Sequence, residues 1–335
     1  MPHTAVYRDA LRQLAAELDC EATEEAVLDA RAGRDPDAHL HRLLERSGTG
    51  VMLLDHGHAP PGTMGAEEHR RRVRVAQHPV ARLETLAEPL VPACATPEEW
   101  LAAVRERLRR AVADEGAVAV KTICAYRASL RLRPPDPELV AADYRELRRR
   151  AASDAAPPRL GGDPLCHALL LDAAQEVRDL DVPLQVHCGL GDPDGDLAET
   201  SPLGLRALLT GEDHRGLRVV LLHCYPYHRE AAYLCAVHPD AHMDLSLAIP
   251  LAGADGHRAM REALGLCPWS KLLYATDATA LPEAYLVAAT RHREALAGAL
   301  AELIAASTLD EGEAVEAGRR VLAGNATDLY GLPNG

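Results

Sequence analysis

The chain has 335 residues, and 47% of them are hydrophobic, which is enough to bury one large core. Its 36 basic and 50 acidic residues give a formal net charge of −14, which argues against nucleic acid or an anionic membrane as a partner. No apolar run approaches the roughly 18 residues of a membrane span, and the N-terminus lacks a signal pattern. We therefore expect a soluble, cytoplasmic protein. The eight cysteines include no CxxC pair, which favours reduced, mostly buried thiols.

The first part of the chain, residues 4–46, is predicted to be helical. Apolar residues recur at helical spacing over residues 4–18, and Thr23 is placed to cap a second helix. Asp35-Pro36 begins a third, because Asp is a good N-cap and Pro favours the first helical position. The same type of pair predicts helix starts at Thr96-Pro97, Asp136-Pro137, Asp163-Pro164 and Ser201-Pro202.

Seven short apolar runs alternate with the helices and are predicted to be strands. They are residues 51–55, 90–93, 118–123, 184–187, 219–223, 242–247 and 272–276. Such alternation indicates a parallel sheet covered on both faces. We predict a single α/β domain over residues 1–335, with a helical segment at 1–46 and a TIM-like (β/α)8 barrel at 47–335. A complete barrel has eight strands, so one strand is missing from this set. Residues 151–162 are predicted to form a surface loop.

Two neighbouring predicted strands each end on a histidine, His187 and His223. About one helix's worth of chain separates them, which predicts adjacent parallel strands with both histidines at the carboxyl ends, where α/β barrels gather their catalytic groups. Asp277 follows a third strand. Imidazole and carboxylate suit zinc and related divalent ions, and a site with an open position can activate water. A lone histidine is more often an ordinary core or surface residue. The shared strand end favours one metal site built from all three.

Other candidate residues leave alternatives open. Lys121 ends a strand and would bind an anionic substrate or, as a carbamate, bridge two metals; an ion pair with a nearby carboxylate fits equally well. The His56-Gly57-His58 pattern resembles a pair of metal ligands, but its glycine and the prolines that follow also fit an exposed loop. The acidic loop that begins at Asp192 fails the calcium-loop pattern, because its sixth position is Leu197 instead of glycine and its twelfth is Leu203 instead of glutamate. No serine-hydrolase, phosphate-binding or dinucleotide-binding motif is present.

Five runs of residues occur in a familiar order: KTICAYR at 121–127, HCGLGD at 187–192, HCYPYHRE at 223–230, TDA at 276–278 and GNATDLYGL at 324–332. With these runs the chain resembles the amidohydrolase superfamily, specifically the branch that is elsewhere fused to a glutamine-synthetase-like domain. The resemblance implies a metal-dependent TIM barrel. It makes His187 and His223 the metal ligands of strands five and six, and Asp277 the strand-eight carboxylate that orients or deprotonates the water. Within these motifs we expect Lys121, Tyr126, Arg127 and His228 to contact the substrate.

Two departures from the family pattern matter. Family members open with a strand that ends in HxH, and this chain begins at about a later point of that pattern. We therefore expect the first strand of the family, with its two metal ligands, to be missing from these residues. By this comparison His56-Gly57-His58 ends strand two. We expect weakened metal binding, and a cover for the gap from an upstream segment, a partner subunit in a homo-oligomer, or the helix at residues 4–18. The second departure is that residues 1–335 include no synthetase-like domain.

The predicted function is hydrolysis of an amide or related C–N bond in a small polar substrate. The metal, zinc in the first instance, would lower the pKa of bound water from about 15.7 toward 7, and Asp277 would take its proton. Arg127 would hold a substrate carboxylate as a fork. The alternatives are metal-dependent decarboxylation on the same fold and a non-catalytic barrel that acts as a partner or scaffold. Cys188 and Cys224 should face the helix layer and not bind the metal.

Overall fold

A computed structural model describes residues 2–57, 62–153 and 158–333, and its centre is one curved, fully parallel sheet. Its seven strands lie side by side in chain order: β1 Val51–Asp55, β2 Ala76–Arg82, β3 Ala119–Thr122, β4 Leu184–Cys188, β5 Val219–His223, β6 Ala241–Asp244 and β7 Leu272–Leu273. Of the described strands, β1 and β7 pair with one neighbour each and not with one another. The architecture is a TIM-like barrel that lacks one strand, as predicted.

Helices connect the strands and cover the outside of the sheet. They are α1 Ala5–Leu18, α2 Glu24–Ala32, α3 Pro36–Ser47, α4 Ala66–Arg72, α5 Leu83–Ala87, α6 Pro97–Ala113, α7 Pro137–Ser153, α8 Asp163–Asp179, α9 Arg206–Thr210, α10 His228–Val237, α11 Ala248–Ala252, α12 Asp255–Leu264, α13 Glu283–Ala305, α14 Glu311–Arg319 and α15 Asn325–Leu329. Within the described part of the chain, no helix is long and apolar enough to cross a bilayer.

One predicted strand is wrong and one real strand was missed. Residues 90–93 belong to a 3-10 helix, Glu88–Ala93, because Pro89 and Pro92 fix helical φ values and Pro92 has no N–H for a ladder. The missed strand is β2, whose central Pro79 and weak apolar alternation hid it. The described residues thus contain the predicted number of seven strands, with β2 in place of residues 90–93. β6 and β7 are also shorter than the predicted 242–247 and 272–276.

The predicted helix starts are mostly confirmed. Thr23 and Asp35 cap α2 and α3 through their side chains, and Thr96 accepts a hydrogen bond from the Glu99 N–H at 3.2 Å. Ser201-Pro202 instead begins a four-residue 3-10 helix. The predicted surface loop at 151–162 is partly helical, since α7 continues to Ser153; residues 154–157 lie outside the described part.

The core is built from Leu, Val and Ala between the sheet and the helices, as the absence of phenylalanine requires. Its largest side chains, Trp100 and Tyr144, pack with ring centroids 5.4 Å apart, and the indole N–H donates to the Ala87 carbonyl at 2.9 Å. All eight cysteines are free and seven of them are buried, as predicted.

The two ends of the sheet are linked on the outside by helix packing. α3, which leads into β1, lies against α13, which follows β7, and Glu283 of α13 contacts Arg31 at 2.5 Å and His39 at 3.0 Å. α1 packs against α2, α11 and α13 and pairs Asp9 with Arg291. The N-terminal helices thus extend the helical layer, and α1 does not take the place of a strand.

Candidate active site

The site is organised around His187 and His223, which lie side by side at the carboxyl ends of β4 and β5. The register pairs Cys188 with His223, so the two imidazoles come from adjacent strands, and their ring centroids are 4.7 Å apart. Both side chains are buried. The strand–helix–strand pattern placed these two residues correctly, because parallel neighbours bring their carboxyl ends to the same edge.

Burial keeps both histidines uncharged. Loss of solvent, with smaller contributions from His223 and the Lys121 ammonium, lowers the pKa of His187 to about 2. Burial likewise lowers the pKa of His223 to about 4, against an opposing effect of Asp244. Neutral imidazole is the form that binds a metal ion or accepts a proton, so the pair is ready for either role at neutral pH.

Asp277 lies beside His223, with its Oδ2 atom 3.9 Å from His223 Nδ1. Burial raises the pKa of its carboxyl group. Its backbone is left-handed at φ 51°, and those of His223 and Cys224 are at φ 66° and 60°. Non-glycine residues in this region concentrate at functional sites, where the surrounding structure holds them in place.

A hydrogen-bonded chain behind His223 was not predicted from the sequence. The Ser246 hydroxyl donates to Asp244 Oδ1 at 2.7 Å, and its oxygen lies 2.7 Å from His223 Nδ1. Asp244 Oδ1 also accepts the His223 N–H at 2.7 Å. Because the hydroxyl proton is given to Asp244, the serine oxygen must accept from His223, which places the imidazole proton on Nδ1 and leaves Nε2 with its lone pair. In the sequence, the only local sign of this contact is that Ser246 lies two residues after Asp244.

A compact charge cluster occupies the same edge of the sheet at β1–β3. Asp55 Oδ2 lies 3.2 Å from Lys121 Nζ, and the Arg82 Nε atom lies 3.0 Å from the same oxygen. The three side chains are each 12–13% exposed. Lys121 and Arg82 hold the pKa of the Asp55 carboxyl below its usual value, although burial opposes them. Of the readings left open for Lys121, the ion pair with a carboxylate is thus the one the structure contains.

Tyr126 connects the histidine pair to a neighbouring cavity. Its ring packs on His187 with centroids 4.4 Å apart, and its hydroxyl oxygen accepts the Asp192 N–H at 3.1 Å. A Cβ atom at Gly191 would lie 1.9 Å from that oxygen, so this position requires glycine. Burial raises the pKa of Tyr126 to about 12, which keeps the phenol protonated. Tyr126 and Arg127 both line a cavity of about 760 Å³.

His228 has other partners, and only part of the His56-Gly57-His58 pattern lies in the described residues. The Nε2 atom of His228 is 2.7 Å from Glu262, and its ring stacks on Tyr225 at 5.6 Å, so the contact of His228 with a substrate stays a prediction. His56 and Gly57 follow β1, and the Gly57 N–H donates to Asp55 at 2.8 Å. His58, the last residue of the His56-Gly57-His58 pattern, is outside the described residues.

The two cysteines beside the histidines face the core. The Cys188 thiol donates to the Val186 carbonyl at 3.4 Å, and the Cys224 thiol to the Leu221 carbonyl at 3.2 Å. Burial raises the pKa of both thiols well above the usual range. Both are packed in the main hydrophobic cluster with the helix-facing residues.

The donor atoms suit a divalent metal ion in kind. His187 Nε2 is buried without a hydrogen-bond partner, His223 Nε2 keeps its lone pair, and Asp277 supplies a carboxylate nearby. In residues 2–57, 62–153 and 158–333, however, no group of three or more His, Cys, Asp and Glu side chains is already spaced as a ligand set. The residues thus fit the ion in the kind of donor atom, and the weakened metal binding stays a prediction.

Comparison with known proteins identifies the family. The family model for amidohydrolases matches residues 36–332. The chain belongs to the amidohydrolase family. A crystal structure from Lactobacillus casei ATCC 334, assigned as a metal-dependent hydrolase, is 30% identical with a TM-score of 0.87, over 98% of this chain and 85% of that one. The family implies a divalent metal ion.

Two further comparisons concern the branch of the family and the fold. Protein fluG of Emericella nidulans is 28% identical over 360 residues, which cover 99% of this chain and 41% of fluG, so the chain spans less than half of that relative. This match supports the predicted branch. A uronate isomerase from Thermotoga maritima has a TM-score of 0.65 at 14% identity, over 97% of this chain and 78% of that one. At that identity the likeness concerns the fold alone.

Proposed function

We propose that this amidohydrolase hydrolyses an amide or related C–N bond in a small polar substrate with the help of a divalent ion, zinc in the first instance. The observation that carries the proposal is the pair of buried, neutral imidazoles of His187 and His223 beside the Asp277 carboxyl. When bound, the ion would supply an activated water molecule. The acidic net charge of −14 agrees with a cytoplasmic enzyme whose partner is a small molecule.

The chain's own residues have distinct tasks in this proposal. His187 and His223 would hold the ion through nitrogen lone pairs, and Asp277 would be the third ligand or the proton acceptor. Burial raises the pKa of Asp277, which brings this carboxyl closer to the pH at which a general base works well. Ser246 and Asp244 orient His223 from behind. The Asp55 cluster lowers the positive charge that Lys121 and Arg82 direct at the site.

The test begins with the metal content of the purified protein, followed by screening of a panel of amides and carboxylates for released ammonia, amine or carbon dioxide. We expect bound divalent metal, release of ammonia or amine, and loss of both in His187→Asn. The matched control is His292→Asn, which alters a buried histidine that bonds to the Ala288 carbonyl on α13.

Other outcomes separate the alternatives. Release of carbon dioxide without amine would replace hydrolysis by decarboxylation on the same site. A folded protein that takes up no metal and turns over nothing would favour the non-catalytic barrel, for which the lack of a finished three-ligand cluster in the described residues is the supporting observation.

A further inference from the structure

The Nε2 atom of His187 is covered by the chain itself. The atom is buried without a hydrogen-bond partner among the described residues, and the whole residue is 3% exposed. Gly191 lies against it, because a Cβ atom at this glycine would be 2.9 Å from His187 Nε2 and 1.9 Å from the Tyr126 hydroxyl oxygen. A zinc ion binds an imidazole nitrogen at about 2.0–2.1 Å. Neither an ion nor a substrate therefore reaches Nε2 while Gly191 stays in this position.

Gly191 belongs to a short surface segment, residues 191–196. All of these residues except Gly195 are exposed, although the segment lies over a buried histidine. The segment crosses the ring of Tyr126 at two glycines. A Cβ atom at Gly195 would be 3.3 Å from Tyr126 Cδ1, and one at Gly191 would overlap the hydroxyl group. The absence of a side chain at both positions lets the backbone lie this close to the ring.

Bonds on either side of residues 191–196 fix where this segment begins and ends. Before it, the Leu190 N–H donates to the Tyr225 carbonyl at 2.7 Å. After it, the Tyr227 hydroxyl donates to the Leu197 carbonyl at 2.8 Å. Hinges lie where a loop meets fixed parts of the structure, so the segment would swing about residues 190 and 197.

Two polar contacts tie the segment itself to distant parts of the chain. The Asp192 N–H donates to the Tyr126 hydroxyl oxygen at 3.1 Å, and the Asp194 carboxylate pairs with Arg159 at 2.9 Å. The ion pair adds little, because both of its side chains are more than half exposed. An exposed segment with so few bonds to the rest of the fold opens without global unfolding.

We propose that residues 191–196 form a lid over the site and that the Tyr126 hydroxyl is its latch. In the closed position Gly191 keeps ligands away from His187 Nε2, and opening about residues 190 and 197 admits them. This inference rests on the proposed function only for what passes the lid, a divalent ion and a small substrate. The cover over His187 requires neither.

The test is labelling of the metal-free protein with diethyl pyrocarbonate, which modifies accessible neutral imidazoles, followed by mass spectrometry of the labelled peptides. The rate at His187 reports opening of the lid. His292 is an internal reference: it is 2% exposed and bonds to the Ala288 carbonyl within α13, so its labelling reports loss of the fold.

Two variants should open the lid by different means. Gly191→Ala puts a methyl group where the Tyr126 hydroxyl lies, so the lid or the ring must move, and we expect His187 to be labelled about tenfold faster or more. Tyr126→Phe keeps the ring and removes the latch. It should raise the rate about fivefold, the effect of one neutral hydrogen bond on an equilibrium. Labelling of His292 should stay unchanged in both.

Gly65→Ala is the matched control, because a Cβ atom at Gly65 meets nothing within 4 Å. It should leave the labelling of His187 unchanged. The lid is refuted if His187 is labelled at the same rate in Gly191→Ala, Tyr126→Phe and the control. If Gly191→Ala is also labelled rapidly at His292, it is unfolded, and Tyr126→Phe decides.

Uptake of cobalt(II) gives a second measure. If opening precedes binding, the rate of uptake should approach a limit as the cobalt concentration rises, and this limit should be higher in Gly191→Ala than in Gly65→Ala. A rate that rises linearly and equally in both variants contradicts the lid. A protein that takes up no cobalt but is labelled as expected would refute the proposed metal chemistry alone and support the lid.

Discussion

Replacing Ser246 by alanine should destabilise the protein and release His223 from one tautomer. The serine is 1% exposed, and its hydroxyl makes 2.7 Å contacts with both His223 Nδ1 and Asp244 Oδ1. Without it, the buried Nδ1–H has no acceptor at hydrogen-bond distance among the described residues, since Asp277 is 3.9 Å away. An unsatisfied buried polar group costs about 1–3 kcal/mol, so we expect a loss of about 2 kcal/mol in the free energy of unfolding.

The matched control is Ser47→Ala. Ser47 is also 1% exposed, but its hydroxyl donates to the Leu44 carbonyl at 2.9 Å and lies near Thr49, away from the site. It should cost about 1 kcal/mol, the usual net value of a neutral hydrogen bond. Urea unfolding at constant m-value gives both free energies.

Two readouts distinguish orientation from simple stability. Imidazole carbon and nitrogen shifts should show the proton of His223 on Nδ1 in the unaltered metal-free protein and a mixture of tautomers in Ser246→Ala. Ser246→Thr keeps the hydroxyl and should restore the Nδ1–H form. The reasoning fails if Ser246→Ala costs no more than Ser47→Ala, or if the tautomer of His223 is the same in all three proteins.

Three further predictions follow from the geometry. In metal-free protein, the free energy of unfolding should decrease as the pH falls from 6.5 toward 4, by up to about 3 kcal/mol from His223 alone. The reason is that the unfolded ring binds a proton in this range, whereas the native ring, with its pKa of about 4, stays neutral. His223→Gln should therefore reduce the slope of stability against pH. Asp55→Asn should cost about 3 kcal/mol or more in urea unfolding, since Lys121 and Arg82 lose their common carboxylate. Cys224→Ala should lower the melting temperature and leave turnover per folded molecule nearly unchanged. A selective loss of activity would contradict the core position of Cys224.

The sequence predicted the fold where local signals and burial agree. β4 and β5 are fully buried, mostly apolar strands, and the position of the histidines at the same edge of the sheet follows from strand direction alone. β2 could not be predicted in the same way, because its residues are half buried and its central proline argues against a strand. Only pairing with β1 and β3 makes Ala76–Arg82 extended, and that contact is not local in sequence.

The parts of the site that escaped prediction depend on side chains meeting across elements. Asp55, Arg82 and Lys121 come from three strands, so the choice between an ion pair and a ligand role for Lys121 needed the register. The Ser246 bond to His223 likewise required the end of β6 at Asp244, three residues before the predicted end. Neither contact follows from residue spacing alone, since the charge cluster joins three strands and the Asp244–Ser246 spacing does not place His223 beside the serine.

The strands in the middle of the sheet have more hydrogen-bonded neighbours than β7 at its edge, which determines which part of the sheet unfolds locally first. β4 and β5 are hydrogen-bonded on both sides, whereas β7 has two paired residues and a single neighbour. Amide hydrogens in the middle strands should therefore exchange with solvent only on global unfolding, and those around β7 through smaller fluctuations. Asp277 sits just beyond β7, and the two histidines sit on the slowly exchanging strands. A partial opening would thus carry the carboxylate away while the imidazoles stay together, so reactivity would be lost before the protein denatures.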